Sequence, residues 1–346
     1  MSWYLETITA PCADWRRKAE MRQNSLTKPP GSLGLLEDIA VMFSAFQGTV
    51  SPCIARPAIV IMAADHGVAA ENVSAFPQAV TAEMVKNFSA GGAAITVLAR
   101  QLGATFQVVN LGTVAALPAL PAVVDRRIAA GCGNICIEPA MTAAQLEAAL
   151  AAGREAVATV LADGADLLVG GEMGIANTTS AACLAARLLD KQPLQIVGAG
   201  TGIDADRLQH KTAVVERALA CHPSAEPLEV LRCLGGFEIA ALAGAYIAAA
   251  GQRLPVLIDG YIATAAALAA VAINAGCRPW LVASHCSAEA AHRLMLDALQ
   301  LSPLLDLSLR LGEGSGAAVT VPLIQAACRL QSEMASFDSA GISGQL

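Results

Sequence analysis

The sequence predicts an α/β fold: a parallel sheet with helices on both faces. Two observations predict it. From Ile54 onward one unit recurs, a short β-branched run, then a glycine-bearing loop with a polar residue, then an alanine-rich helix. That alternation is the signature of βαβ units. The polar loop residues all follow the runs, so such a sheet gathers them on one rim, at strand C-termini where open α/β sheets bind ligands.

Taken in order, residues before Ile54 read as helical: Cys12–Asn24, a turn at Lys28-Pro29-Pro30-Gly31, then Leu33–Phe46 with Ser32 as its expected cap. The runs expected as strands are Ala58–Met62, Gln107–Leu111, Asp166–Val169, Leu194–Val197, Pro255–Ile258 and Trp280–Ala283. Their loops carry Asp65-His66-Gly67, Gly112-Thr113, Gly170-Gly171-Glu172, Gly198-Ala199-Gly200, Asp259-Gly260 and Ser284-His285. Residues 305–311 read as a last strand and Ala317–Leu330 as a small-residue helix. The tail after Gln331 is polar and expected to be loose. The expected organisation is residues 1–50 as the first part of a small helical domain, 51–318 as the parallel α/β core, and 319–346 as a C-terminal helix and tail packing with the small domain.

Composition narrows the function. The 346 residues are 55% hydrophobic and 15% charged, enough for a large core rich in alanine. A net charge of −7, no basic run and 4% aromatics argue against nucleic-acid binding. Mean hydropathy is +0.53, yet the longest apolar stretch, Ile262–Ile273, falls short of the ~20 residues a spanning helix needs. No membrane span is expected. Met1–Glu20 carries Glu6, Asp14, Arg16, Arg17 and Lys18 without an apolar region, so no secretory signal is expected. Ten cysteines without a CxxC pair suit free thiols in a reducing cytoplasm.

Several motifs are weak. Gly198-Ala199-Gly200-Thr201-Gly202 hints at a dinucleotide fingerprint, but Ile203 stands where its third glycine is needed. A phosphate-facing turn is the better reading, with Lys211 beside it. No lysine follows a glycine, so there is no P-loop. The five histidines lack metal-ligand spacing; His66 and His285 are expected to bond a loop or substrate. Ser284-His285 lacks a nucleophile elbow. The stronger signals are two glycine-flanked carboxylates at expected strand ends. Glu172 lies in Gly170-Gly171-Glu172-Met173-Gly174, followed by Asn177-Thr178-Thr179 as helix caps. Glu313 lies in Leu311-Gly312-Glu313-Gly314-Ser315-Gly316, where glycines admit a ligand to the backbone and a helix start offers N–H groups to an anion. The alternative role of Glu313 is only to complement the helix dipole.

Read together, the motifs resemble a known family. They are Leu26-Thr27-Lys28-Pro29-Pro30-Gly31-Ser32-Leu33-Gly34, Ala64-Asp65-His66-Gly67-Val68, Gly131-Cys132-Gly133-Asn134-Ile135, Gly171-Glu172-Met173-Gly174 with Asn177-Thr178-Thr179, Gly235-Gly236-Phe237-Glu238, Asp259-Gly260-Tyr261-Ile262, Ser284-His285 with Ser287-Ala288-Glu289, and Leu311–Ala318. In this order, from about Leu26 to Leu330, the set resembles the nicotinate-nucleotide–dimethylbenzimidazole phosphoribosyltransferases of cobalamin assembly.

The resemblance implies a Rossmann-like sheet plus a small helical domain from both chain ends, working as a cytoplasmic homodimer. It implies transfer of phosphoribose from nicotinate mononucleotide to 5,6-dimethylbenzimidazole, giving α-ribazole 5′-phosphate and nicotinate, with inversion and with Glu313 as base. No cofactor and no metal are implied. Glu172, Gly174, Asn177 and Thr178 would face the nicotinate end or the ribose. Gly200, Gly202, Lys211 and Ser284 are phosphate candidates. Gly312 and Gly314 would lie against the flat base, which Phe76 and Met84 would wall. Leu35 departs from the basic residue usual after Gly-Ser-Leu-Gly. Adenine or phenolic bases, or a non-catalytic nicotinate-nucleotide binder, are the alternatives; a NAD-dependent dehydrogenase would need a glycine at Ile203.

Overall fold

The structure, a computed structural model, describes residues 2–198, 200, 204–289 and 291–343. Its sheet has six strands: β1 Pro57–Ala64, β2 Thr105–Gly112, β3 Val123–Asp125, β4 Leu167–Met173, β5 Val256–Ile258 and β6 Leu281–Ala283. All pair in parallel, in the order β3-β2-β1-β4-β5-β6. This is the Rossmann strand order, and it reverses direction at β1, with β2 on one side and β4 on the other. Both β1 and the first six residues of β4 are buried, as a sheet covered on both faces requires. Register sets Met62 opposite Glu172, so the end of β4 lies beside the Asp65-His66 turn that follows β1.

Alanine content explains the packing. Every residue from Phe237 to Ala250 is buried, and this helix lies on the Ala143–Ala162 helix with almost no side chains between. A Cβ on Gly153 would reach the Ala245 nitrogen at 2.7 Å, and one on Gly244 the Leu150 carbonyl at 2.5 Å. The Phe237–Ala250 helix, which its small residues recommend as a subunit interface, is therefore spent inside the core. Among the described residues no helix is long and apolar enough to cross a membrane.

One expected strand is not formed and another is cut short. Leu194–Ile196 lies in a four-residue helix, Pro193–Ile196, with Val197 just beyond it: Pro193 suits a first helical turn, and Gln192 and Gln195 cap each other. No slot was free for it, because β4 is flanked by β1 and β5. Of residues 305–311 only Leu305–Asp306 (β8) is strand, pairing with β7, His285–Cys286, in a separate ribbon. The expected caps also change. Gly34, at φ 54°, starts the Leu35–Gln47 helix instead of Ser32, and Ala176, at φ 77°, starts Asn177–Leu188, leaving Asn177, Thr178 and Thr179 inside the helix.

The chain ends meet. Helices Ala13–Ser25 and Leu35–Gln47 pack on Ser315–Glu333. Gln23 Nε2 donates to Gln331 Oε1 (2.6 Å), Arg22 donates to the carbonyls of Gln331, Ser332 and Met334, and Leu26 bridges Ser336. The Ser315–Glu333 helix runs unbroken from the sheet rim into this cluster, through the boundary expected at 318.

Candidate active site

The rim at the C-terminal ends of β1, β4, β5 and β6 opens into a cavity of about 680 Å³. Of the residues singled out in the sequence, Glu172, Glu313, Gly174, Asn177, Thr178, Gly200, Gly312, Phe76 and Met84 line it. Gly314, Lys211 and Ser284 do not. Gly202 lies outside the described residues.

Glu313 occupies a loop rather than a strand end. Gly312, Glu313 and Gly314 are consecutive left-handed residues, at φ 84°, 62° and 76°. For glutamate this conformation costs about 1–2 kcal/mol, and a buried non-glycine held there points to a constraint beyond packing. The loop is pressed on β4: a Cβ on Gly171 would meet the Glu313 carbonyl carbon at 2.6 Å. Glycine at 171 is thus what lets Glu313 reach the crevice. Its side chain is 7% exposed and has no hydrogen-bond partner among the described residues.

The helix start beside Glu313 is already occupied. Asp259, following β5, accepts from the N–H groups of Gly314 (3.1 Å) and Ala317 (2.9 Å) through its two oxygens. It caps the Ser315–Glu333 helix from a distance in sequence, so those donors are not open to a substrate anion. The competition between burial and dipole at Glu313 resolves accordingly. Burial, with Asp259's charge added, pushes the Glu313 carboxyl up to about 7.

Glu172, 6% exposed, receives a hydrogen bond from Asn177 Nδ2. Its Oε1 lies close over Gly312, where a Cβ would approach to 2.7 Å. Burial first, then the charges of Glu238, Asp259 and Glu313, raise it to about 8. Both carboxyls are thus held well above the ordinary carboxylate range, so that each can exchange a proton near neutral pH.

Behind Glu172 lies a polar cluster in which the ring of His66, expected to bond a loop or substrate, bonds buried side chains instead. His66 Nε2 pairs with Glu238 Oε1 (2.6 Å), and His66 Nδ1 faces Ser180 Oγ (3.1 Å), all fully buried. Burial opposes charge on His66, but Glu238 and Cys132 outweigh it and hold the imidazole well above its usual range. His66 and His285 do not form a pair. His285 bonds Ser284 Oγ (2.9 Å), which occupies that hydroxyl, and burial lowers His285.

On the other flank Lys211 donates to Thr178 Oγ1 (2.9 Å) and the Gly198 carbonyl (3.2 Å), and burial lowers it to about 8. Sequence reading missed Arg310, Ser308 and Leu309 on the cavity wall because they fell in a run taken for strand. Asp259, Tyr261, Ser287 and Glu289 were visible within the motifs, but only folding shows what each faces.

Residues 8–342 match a protein family described as phosphoribosyltransferase. A nicotinate-nucleotide–dimethylbenzimidazole phosphoribosyltransferase of Xanthomonas campestris pv. campestris is 55% identical over 344 residues, covering 99% of each chain. That of Pseudomonas aeruginosa is 53% identical over 345 residues, covering 99% of this chain and 98% of the relative. The crystal structure of the Thermus thermophilus enzyme of that name superimposes with a TM-score of 0.92 at 45% identity, over 96% of this chain and 100% of that one. Matched over nearly its whole length by these relatives, this chain belongs to the nicotinate-nucleotide–dimethylbenzimidazole phosphoribosyltransferase family.

Proposed function

We propose that this chain transfers the 5-phosphoribosyl group of nicotinate mononucleotide to 5,6-dimethylbenzimidazole, releasing nicotinate and forming α-ribazole 5′-phosphate. The observation that carries the mechanism is Glu313: a buried carboxylate without a hydrogen-bond partner among the described residues, held left-handed at the cavity floor and raised to about 7.

In the donor the glycosidic nitrogen is cationic, so breaking its bond to C1′ returns an electron pair to a pyridine and needs no acid. The acceptor attacks C1′ with one ring nitrogen and must lose the proton on the other. Glu313 takes that proton as general base. Attack from the face opposite nicotinate inverts the anomeric carbon from β to α. Glu172, protonated at neutral pH and fixed by Asn177, donates to the substrate and orients it without competing for the proton. Phe76, Val80 and Met84 supply an apolar wall suited to a methylated benzimidazole. Gly200, Thr178 and Lys211 are on the side suited to the phosphate.

Incubation with nicotinate mononucleotide and a panel of bases tests this. Dimethylbenzimidazole-dependent nicotinate release, with an α-anomeric product by NMR, is expected. Release that ignores the base, or preference for adenine or a phenol, would overturn the assignment.

A further inference from the structure

His285 lines the cavity but takes no part in the steps above. Its side chain is buried against the first turn of the Ser315–Glu333 helix, where a Cβ on Gly316 would meet its Cε1 at 2.2 Å and its Nε2 at 2.8 Å. Glycine at 316 is what makes room for the ring. The same ring edge faces Gly260, also on the cavity wall, where a Cβ would stand 3.8 Å from Nε2.

Hydrogen-bond accounting fixes the tautomer. Ser284 is fully buried, and among the described residues its hydroxyl has one partner, His285 Nδ1 (2.9 Å). A buried hydroxyl needs an acceptor for its proton, and Nδ1 is the acceptor within reach. Burial lowers the imidazole below its ordinary range, so it is neutral at neutral pH. Its one proton is then on Nε2, for which no described residue supplies an acceptor. The neighbouring His292 differs: its Nδ1 accepts from the Ser287 N–H (2.7 Å) and its Nε2 bonds Thr264 Oγ1 (2.8 Å), so both nitrogens are used.

We propose that the His285 Nε2–H is a binding donor for a hydroxyl of the substrate's ribose. This deepens, and rests on, the reading that the cavity takes nicotinate mononucleotide. Asp259 holds the same helix turn through the N–H groups of Gly314 and Ala317, on either side of Gly316. The charges acting on the ring are those of Asp259 and Asp306. A phosphate or carboxylate at Nε2 would therefore meet an acid beside a neutral ring. A hydroxyl accepts from Nε2–H and keeps a proton of its own to donate.

Kinetics of the full-length protein with nicotinate mononucleotide and its 2′-deoxy and 3′-deoxy analogues test this. His285→Ala should lower kcat/KM on the mononucleotide about tenfold, the worth of one hydrogen bond. It should cost the analogue lacking the recognised hydroxyl less than about twofold, because that bond is already absent. His285→Gln, whose amide can donate from a similar reach, should recover part of the loss. Equal losses on all three substrates would make the ring structural and overturn the proposal. Nitrogen NMR of the histidines in the free wild-type protein, assigned through His285→Gln, should find Nε2 of His285 protonated. A proton on Nδ1 instead overturns the proposal without recourse to any variant. A wild-type protein that fails to turn over the mononucleotide brings down the substrate assignment and this proposal together, whereas equal losses bring down this proposal alone.

Discussion

Two carboxylates next to glycines, for which we propose different roles, differ in their surroundings. Glu172 is raised to about 8 by burial and by three neighbouring acids, whereas Glu313 is raised to about 7 by burial and Asp259. With Glu313 as the proposed base, kcat/KM should fall about tenfold per pH unit below 7, and loss of the Glu172 proton should lower it again above about 8. A profile flat from pH 5.5 to 8 would remove Glu313 from the base role. The same shifts carry a stability sign. Both acids bind protons more tightly folded than unfolded, so their contribution is fullest below the ordinary carboxylate range and is lost as pH rises through 7 to 8. Glu313→Gln should therefore melt no lower than the wild type at pH 8, with its relative advantage shrinking toward pH 5. A lower Tm at pH 8 would contradict the strain and burial assigned to this side chain. Both acids were legible in the sequence from their glycine neighbours. Their unequal shifts were not, because the neighbours that tune them come from β5 and from the Phe237–Gly251 helix.

Among the elements, five of the six sheet strands were legible as runs rich in valine, isoleucine and leucine, while the three-residue edge strand β3, Val123–Asp125, was too short to be read. Leu194–Val197 has strand composition too, yet Leu194–Ile196 folds in a helical turn because Pro193 starts one and the sheet positions beside β4 were taken. The Asn177-Thr178-Thr179 run has cap composition, yet Asn177 serves Glu172 from within the helix. Asp259 is the clearest omission: its motif was plain, but its partners are Gly314 and Ala317. Asp259→Asn removes the negative charge that helps raise Glu313, so the acid limb of the pH profile should move to lower pH. An unmoved limb would show that burial alone sets Glu313. Gly171→Ala probes the loop instead. Its new Cβ must displace the Glu313 backbone, and a shift of about 1 Å can cost about 10²-fold in kcat. Circular dichroism should be unchanged, and near-normal kcat would mean that the loop's seat on β4 does not position the base.

For the whole molecule, we propose that residues 1–50 and the C-terminal helix form a small helical domain, joined to the core by the continuous Ser315–Glu333 helix. The start of that helix carries the site and its end carries Gln331, paired with Gln23, so the small domain anchors the loop bearing Glu313. We also propose a homodimer by family membership, on a surface other than the buried Phe237–Ala250 helix. A stable, active monomer in light scattering at micromolar concentration would refute it. The proposed catalysis rests on one proton transfer in one cavity. Glutamine at 313 preserves the size and hydrogen-bonding shape of the side chain and cannot accept that proton. Steady-state nicotinate release by Glu313→Gln, with nicotinate mononucleotide and dimethylbenzimidazole saturating near pH 7.5, should show kcat reduced about 10²–10⁴-fold with mononucleotide affinity little changed. A kcat within a few-fold of wild type in a folded Glu313→Gln protein would contradict it.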